Sequence, residues 1–285
     1  MENSQSIRNL TSCQIEDFRA YLHAEEHETS TIEKYVRNIC LFAVYLKGAP
    51  VTKEIVVAWK ERLLADHYAP ATINAMLASL NAFFKFAGWE NCCAKSIRLQ
   101  RRVFRDANRE LTRCEYEKLI RTAYAHGREK LGLLMETICA TGIRVSEVRY
   151  ITKEAIERGQ AVIALKGKVR VILLPGKLRR KLRAFVQKRK ITSGEVFLTR
   201  NGTSISRRQI WAEMKSICQA AGVCKTKVFP HNLRHLFATV YYQNHRDIVK
   251  LADVLGHSSI ETTRIYLIST GAEHARKMDV LGLVS

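Results

Sequence analysis

The sequence predicts a mainly α-helical chain with a small antiparallel β-sheet, divided into two domains. Three observations carry this expectation. At 285 residues the chain exceeds the roughly 100 to 200 residues that one ordinary core organises. Apolar residues recur at helical spacing along most of it, and β-type runs occur only around its middle. The charge also breaks sharply: residues 1–93 hold 9 Lys and Arg against 11 Asp and Glu, a net of −2, whereas the remaining 192 residues hold 38 against 16, a net of +22.

Residues 1–93 read as four helices. Thr11 and Gln14 are spaced as a capping box ahead of Ile15, Phe18 and Leu22. Ser30 and Glu33 form a second such pair, after which Ile32, Tyr35, Val36, Ile39, Phe42, Ala43 and Leu46 keep helical spacing until Gly48 and Pro50 end it. Two further helices are expected over 53–65 and from just after Pro70 to Ala87. Residues 94–110 form a linker, and from Lys95 to Arg109 six basic residues (Lys95, Arg98, Arg101, Arg102, Arg105 and Arg109) face one acid, Asp106. Such a segment is either solvated or laid along phosphates, where it displaces counterions. The second reading is preferred, with Arg98, Arg101, Arg102 and Arg105 as contacts.

The second domain spans 111–285. An apolar run (Leu133, Leu134, Ile138) is stopped by Gly142. Short β-type runs at 161–165 and 169–174 flank Lys166-Gly167-Lys168, a hairpin with a basic tip, and a third short strand is expected at 196–198 beside the Asn201-Gly202 turn. Pro230 opens a helix. Ile248, Leu251, Ala252 and Leu255 mark another, ended by Gly256, and Ser258 with Glu261 caps a last helix carrying Tyr266 about two turns in. The tail holds Met278, Val280, Leu281, Leu283 and Val284, more apolar than a free terminus usually is.

A net charge of +20 points to a polyanionic partner, with nucleic acid ahead of an anionic membrane. No apolar run approaches the roughly 20 residues that a bilayer requires, so no membrane association is expected. The eight cysteines lack the C-x2-C spacing of zinc sites and no secretory pattern precedes them. They read as reduced thiols in a cytoplasmic protein.

Six side chains of the second domain stand out in order: Arg144, Lys166, His231, Arg234, His257 and Tyr266. Arg144 is expected to start a helix, where its guanidinium can fork onto two phosphate oxygens with Glu147 one turn later to orient it. Lys166 at the hairpin tip can donate a proton to a departing 5′ oxygen, and Lys168 is its rival on the same turn. His231 and Arg234 share one helix face. His257 follows a helix-ending glycine within reach of a phosphate, and Tyr266 is a phenol able to attack phosphorus. Lys168 and Arg170 are further candidates for DNA contact. Each match has a plain alternative when taken singly: a surface arginine with an acidic neighbour, a basic turn, a chance His-x-x-Arg pair, an amphipathic tyrosine. Their conjunction in one order is what separates them from chance.

The stretches TGIRVSEV, LKGKVRVILLP, PHNLRHLFAT and LGHSSIETTRIY closely resemble the motifs of tyrosine recombinases, in the branch of bacterial Xer proteins and phage or transposon integrases. The resemblance covers nearly the whole chain. It implies a helical SAM-like core-binding domain in residues 1–93 and an α+β catalytic domain after the linker, the two clamping double-stranded DNA. It also implies that Arg144, Lys166, His231, Arg234 and His257 surround the scissile phosphate while Tyr266 attacks it, leaving a 3′-phosphotyrosine and a free 5′ hydroxyl. Arg144, Arg234 and His257 would supply the positive field, with His231 as base. No metal and no cofactor are then expected. A tetramer on paired DNA sites, with the tail docked on a neighbouring subunit, follows from the same resemblance, as does a place in the bacterial cytoplasm, on the nucleoid when DNA is bound. LKGKVR is shorter than the family's GKGxKxR form, so Lys166 and Lys168 both remain candidates for the catalytic lysine. A type IB topoisomerase and a non-catalytic DNA-binding regulator are the competing readings.

Overall fold

Capping chemistry sets where the first helices begin. In α1 (Ser12–Ala24) the Thr11 hydroxyl accepts from the Gln14 N–H at 3.3 Å, and the Gln14 side chain accepts from the Thr11 N–H at 3.0 Å. α2 (Thr29–Leu46) begins one residue before Ser30. The Glu28 carbonyl accepts from the N–H groups of both Thr31 and Ile32, so Ser30 already lies in helical backbone and cannot be the cap, which needs an extended conformation. The expected Ser30–Glu33 box is thereby corrected. α3 (Lys53–Ala65) is capped by the Thr52 hydroxyl, and α4 (Pro70–Phe86) starts on Pro70, where a missing N–H costs nothing.

The computed structural model describes residues 8–99, 107–165, 168–266 and 279–280. The chain divides into two units, Met1–Arg101 and Arg102–Ser285. In the first, Phe18, Phe42, Phe83 and Phe84 are fully buried. Phe18 meets Phe83, and Phe42 meets Trp59, edge to face at centroid separations of 5.4 and 5.1 Å. Truncating one such ring to alanine costs about 3–5 kcal/mol. Residues 94–97, expected as the start of the basic linker, are fastened to α4. The Asn81 amide accepts from Ala94 N–H at 3.0 Å and donates to the Ala94 carbonyl at 2.9 Å, and Asn74, two turns earlier, does the same for Ile97 at 2.8 and 2.9 Å. Each asparagine acts as a strand edge would.

The second unit is organised around α6. α5 (Arg113–Ala125) starts with a Thr112–Glu115 capping box, and α6 (Glu129–Thr141) buries Leu131, Leu133, Leu134, Met135 and Ile138 before ending at left-handed Gly142. A short 3-10 helix (Val145–Tyr150) and α7 (Lys153–Arg158) lead into β1 (Gln160–Leu165). β2 (Lys168–Leu173) pairs with it antiparallel, from Gln160 opposite Leu173 to Leu165 opposite Lys168. Ala161, Ile163 and Ile172 face the core, while Val162, Val169, Val171 and Leu173 face outward. α8 (Gly176–Lys188), α9 (Arg207–Ser216), α10 (Pro230–His245), α11 (Ile248–Leu255) and α12 (Ile260–Arg264) follow, and α5, α8, α9 and α10 all pack on α6.

Two expectations for this unit are corrected. The strand expected at 196–198 is replaced by two single bridges, Thr152 with Glu195 and Leu198 with Ser204. The segment touches a different neighbour at each end, and the 199–203 turn closes immediately on Leu198, so no ladder extends. The last helix is capped by Ser259, whose hydroxyl accepts from Glu261 N–H at 3.2 Å, and it ends before Tyr266, which therefore stands beyond the helix. All eight cysteines are free thiols. No helix among the described residues is long and apolar enough to cross a membrane.

Candidate active site

Pro230 at the first position of α10 fixes the start of that helix and places Arg234 one turn inside it. Arg234 is 2% exposed. Burying a guanidinium requires partners on every side, and two helix ends supply them. Nη1 donates to the Gly142 carbonyl at 2.5 Å and Nη2 to the Leu255 carbonyl at 2.8 Å, so the cation bridges the carbonyl ends of α6 and α11, the negative ends of their dipoles. Gly142 turns its carbonyl there through a left-handed backbone, φ +66°, and a Cβ at that point would strike the Phe237 ring. The glycine that looks like a mere helix stop thus serves the arginine.

Arg144 caps the 3-10 helix and is oriented by Glu147, as the sequence suggested. Glu147 Oε2 accepts from the Arg144 backbone N–H at 2.7 Å and Oε1 accepts from Nη1 at 3.0 Å, while Nη2 donates to the Gly256 carbonyl at 3.2 Å. Glu147 is 2% exposed, whereas 42% of the Arg144 side chain is exposed. The guanidinium is gripped from behind and keeps an open edge toward solvent, the arrangement an incoming phosphate needs.

His257 lies between these cations and the tyrosine. Its Nε2 is 2.9 Å from Arg234 Nη2, and its Nδ1 is 2.8 Å from Thr263 Oγ1. A guanidinium can only donate, so Nε2 is the acceptor and the ring proton sits on Nδ1, donating to Thr263. Burial first, then Arg234, Arg144, Arg170 and His231, push the His257 pKa down to about 4. The imidazole is neutral at pH 7. In this arrangement His257 holds Arg234 as a neutral acceptor.

Tyr266 is 3% exposed. Its ring stacks on His257 with centroids 6.0 Å apart and an interplanar angle of 12°, and it meets His235 edge to face at 4.9 Å. Its hydroxyl lies beside Arg234, whose pKa is held below the usual arginine range by burial and then by Arg144, with the phenol opposing the fall. His231 is exposed to solvent. Crowding by the surrounding protein, then Arg234 and Arg144, hold its pKa below the ordinary histidine value, leaving it neutral and able to accept a proton near pH 7.

Five of the six expected residues, Arg144, His231, Arg234, His257 and Tyr266, therefore meet within one unit. Lys166 lies outside the described residues, as do Arg101, Arg102 and Arg105. Lys168 stands opposite Leu165 in the pair next to the turn of the hairpin, and Arg98 is exposed in the first unit. Arg170, expected to contact DNA, points inward instead: it pairs with Ile163 across the hairpin, only 15% of its side chain is exposed, and its guanidinium is bonded to Glu147 and to the Val254 carbonyl. Thr263, fully buried, was not singled out by sequence. Its hydroxyl fixes the His257 tautomer while its carbonyl accepts from the Tyr266 N–H at 3.0 Å. Among the described residues no group of three or more His, Cys, Asp or Glu could hold a metal ion.

Comparison with known proteins identifies the family. The model of the phage integrase family matches residues 109–273, and that of the phage integrase N-terminal SAM-like domain matches residues 15–91. The tyrosine recombinase XerA of Thermococcus kodakarensis is 29% identical over 271 residues, spanning 92% of this chain and 93% of that protein. Among solved structures, XerH site-specific recombinase bound to difH substrate in a pre-cleavage complex is similar with a TM-score of 0.68 at 20% identity, over 94% of this chain and 84% of that one. A λ integrase tetramer bound to a Holliday junction is similar with a TM-score of 0.72 at 20% identity, over 93% and 78%. The two structures establish the fold, and the family model covers more than half of the sequence: this chain belongs to the phage integrase family.

Proposed function

We propose that this chain is a site-specific DNA recombinase that cleaves and rejoins strands through a 3′-phosphotyrosine, integrating, excising or resolving DNA. The observation that carries the reading is the Tyr266 phenol packed on His257 with its hydroxyl beside Arg234, in a cluster that also holds Arg144 and His231. Tyr266 Oη attacks the scissile phosphorus as the bond to the 5′ oxygen breaks. The phenolic proton passes to neutral His231, and the departing 5′ oxygen takes a proton from Lys166, or from Lys168 if the hairpin presents that residue. Arg144 and Arg234 stabilise the charge that grows on the non-bridging oxygens. A 5′ hydroxyl of the partner strand then reverses each step. The phosphotyrosine retains the energy of the broken linkage, so rejoining needs no nucleotide.

The substrate in this reading is double-stranded DNA. The +22 carried by residues 94–285 supports it, with exposed Arg98, and with Arg101, Arg102, Arg105 and Lys168 as further basic residues, laid along phosphates. Four chains would act on two paired sites, in the cytoplasm and on the nucleoid, with the tail of one chain docked on the next. Val280, 86% exposed, leaves an apolar side chain available for that contact. Deleting residues 272–285 should spare DNA binding and impair pairing of two sites; unchanged pairing excludes the tail from assembly.

The reading is tested by incubating the chain with a randomised pool of nicked duplexes and recovering covalent adducts. Wild type should form them. Tyr266→Phe should bind DNA and form none, and Arg144→Ala and Arg234→Ala should cleave far more slowly with modest loss of affinity. A normal yield of adduct from Tyr266→Phe ends the assignment of the nucleophile.

A further inference from the structure

Three guanidinium groups converge on one helix end. The last carbonyls of a helix have no partner within it and carry the negative end of its dipole. At the end of α11 the Val254 carbonyl accepts from Arg170 Nη1 at 3.1 Å, the Leu255 carbonyl from Arg234 Nη2 at 2.8 Å, and the Gly256 carbonyl from Arg144 Nη2 at 3.2 Å. Arg234 and Arg144 belong to the site already described. Arg170 has no part in it so far. It arrives from β2, and its other arm bonds Glu147 Oε2.

The Glu147 carboxylate is therefore shared. One oxygen holds the Arg144 guanidinium, and the other takes the Arg144 backbone N–H together with Arg170. A buried carboxylate facing a single guanidinium would cancel much of its charge as felt by a phosphate. With a second guanidinium on its far oxygen, one negative charge serves two positive ones, and the group keeps a net positive charge beside the open edge of Arg144.

The placement is costly, which argues against a chance packing arrangement. Arg170 Nε is buried without a hydrogen-bond partner. Its stem fits only because residue 256 is glycine: a Cβ there would lie 2.5 Å from Arg170 Cδ and 2.8 Å from Nη1. The strand also reverses the pattern that burial alone selects, with Val169, Val171 and Leu173 outward and the arginine on the inner side with Ile172.

We infer that Arg170 is a positioning residue of the recombination site: by tying Glu147 to the end of α11 it orients Arg144 and keeps the Arg144 charge available to the scissile phosphate. This rests on the recombinase reading above. The test compares wild type with Arg170→Met, Arg170→Lys and Arg170→Met combined with Glu147→Gln. The probe is a nicked suicide duplex carrying the sequence that wild type captures, with duplex binding measured alongside and the His257 imidazole titrated by NMR in the DNA-free protein. Arg170→Met should cleave on the order of 100-fold more slowly, with a duplex Kd within about threefold of wild type. Arg170→Lys should recover part of the rate. The double variant should cleave faster than Arg170→Met, because a neutral amide no longer competes for Arg144. The His257 midpoint should rise in Arg170→Met, since a nearby cation is gone. Cleavage and binding lost in equal proportion, or a double variant slower than Arg170→Met, overturns the inference. If wild type captures no duplex, the recombinase reading fails by itself, and an unmoved His257 midpoint then overturns the Arg170 assignment separately.

Discussion

Replacing Thr263 by valine removes one buried oxygen and leaves the shape of the side chain nearly intact. Thr263 is fully buried, and its hydroxyl is the acceptor, at 2.8 Å, for the proton on His257 Nδ1. Stranding a buried donor costs about 1–3 kcal/mol, and because His257 itself is half-buried, partial hydration should hold the loss near the lower figure, about 1 kcal/mol. For a unit of this size that lowers Tm by about 2–4 °C. A stability change this small is less informative than the tautomer. Wild type should show the proton on Nδ1 and a bare Nε2 facing Arg234 in ¹⁵N NMR of the imidazole. Thr263→Val should populate the opposite tautomer, which points an N–H at a guanidinium and loosens Arg234. Cleavage should slow while DNA affinity is kept. A wild-type ring protonated on Nε2, or a valine variant with unchanged tautomer and Tm, refutes this account of His257.

Gly142→Ala should destabilise the catalytic unit by more than the roughly 1–2 kcal/mol of left-handed backbone strain, because the added methyl also meets Phe237. Thermal melting checks this, and a variant as stable as wild type would show that the turn can relax. The His257 pKa gives a pH dependence: its folded value, about 4, lies below the unfolded value near 6.5. The unfolded chain takes up the proton first, so the contribution is complete above pH 6.5 and is lost as pH falls from 6.5 to about 4. Urea denaturation at pH 7.5, 5.5 and 4.5 should show that decline, and His257→Asn should flatten it. The lowered His231 pKa implies that cleavage holds to a lower pH than an ordinary imidazole base would allow and fails only below the depressed value, a profile that single-turnover cleavage across pH measures directly.

The parts of this molecule that were legible in its sequence are those fixed by local chemistry. Thr11 with Gln14, Pro70, Pro230 and the apolar faces of α2, α4 and α11 each declare a helix within a few residues, and they do so correctly. The order of Arg144, His231, Arg234, His257 and Tyr266 was equally legible, because each sits beside a helix start or stop that places it. What escaped depends on contacts distant in sequence. Ser258 and Ser259 offer the same cap chemistry, and no local pattern separates them, although Ser259 is the cap. Arg170 reads as a surface cation until the hairpin register places it beside Ile172. Gly142 and Gly256 read as stops, whereas their carbonyls, turned toward arginines up to 112 residues away, are invisible to any local pattern. Thr263 looks like an ordinary helical threonine.

Peptide mapping of the trapped protein–DNA adduct by mass spectrometry asks whether Tyr266 becomes covalently joined to DNA. Wild type should yield a nucleotide-modified peptide containing Tyr266 and carrying a 3′-linked phosphate, and Tyr266→Phe should yield none. An adduct mapped to any other residue, or linked through a 5′ phosphate, contradicts a 3′-phosphotyrosine at Tyr266.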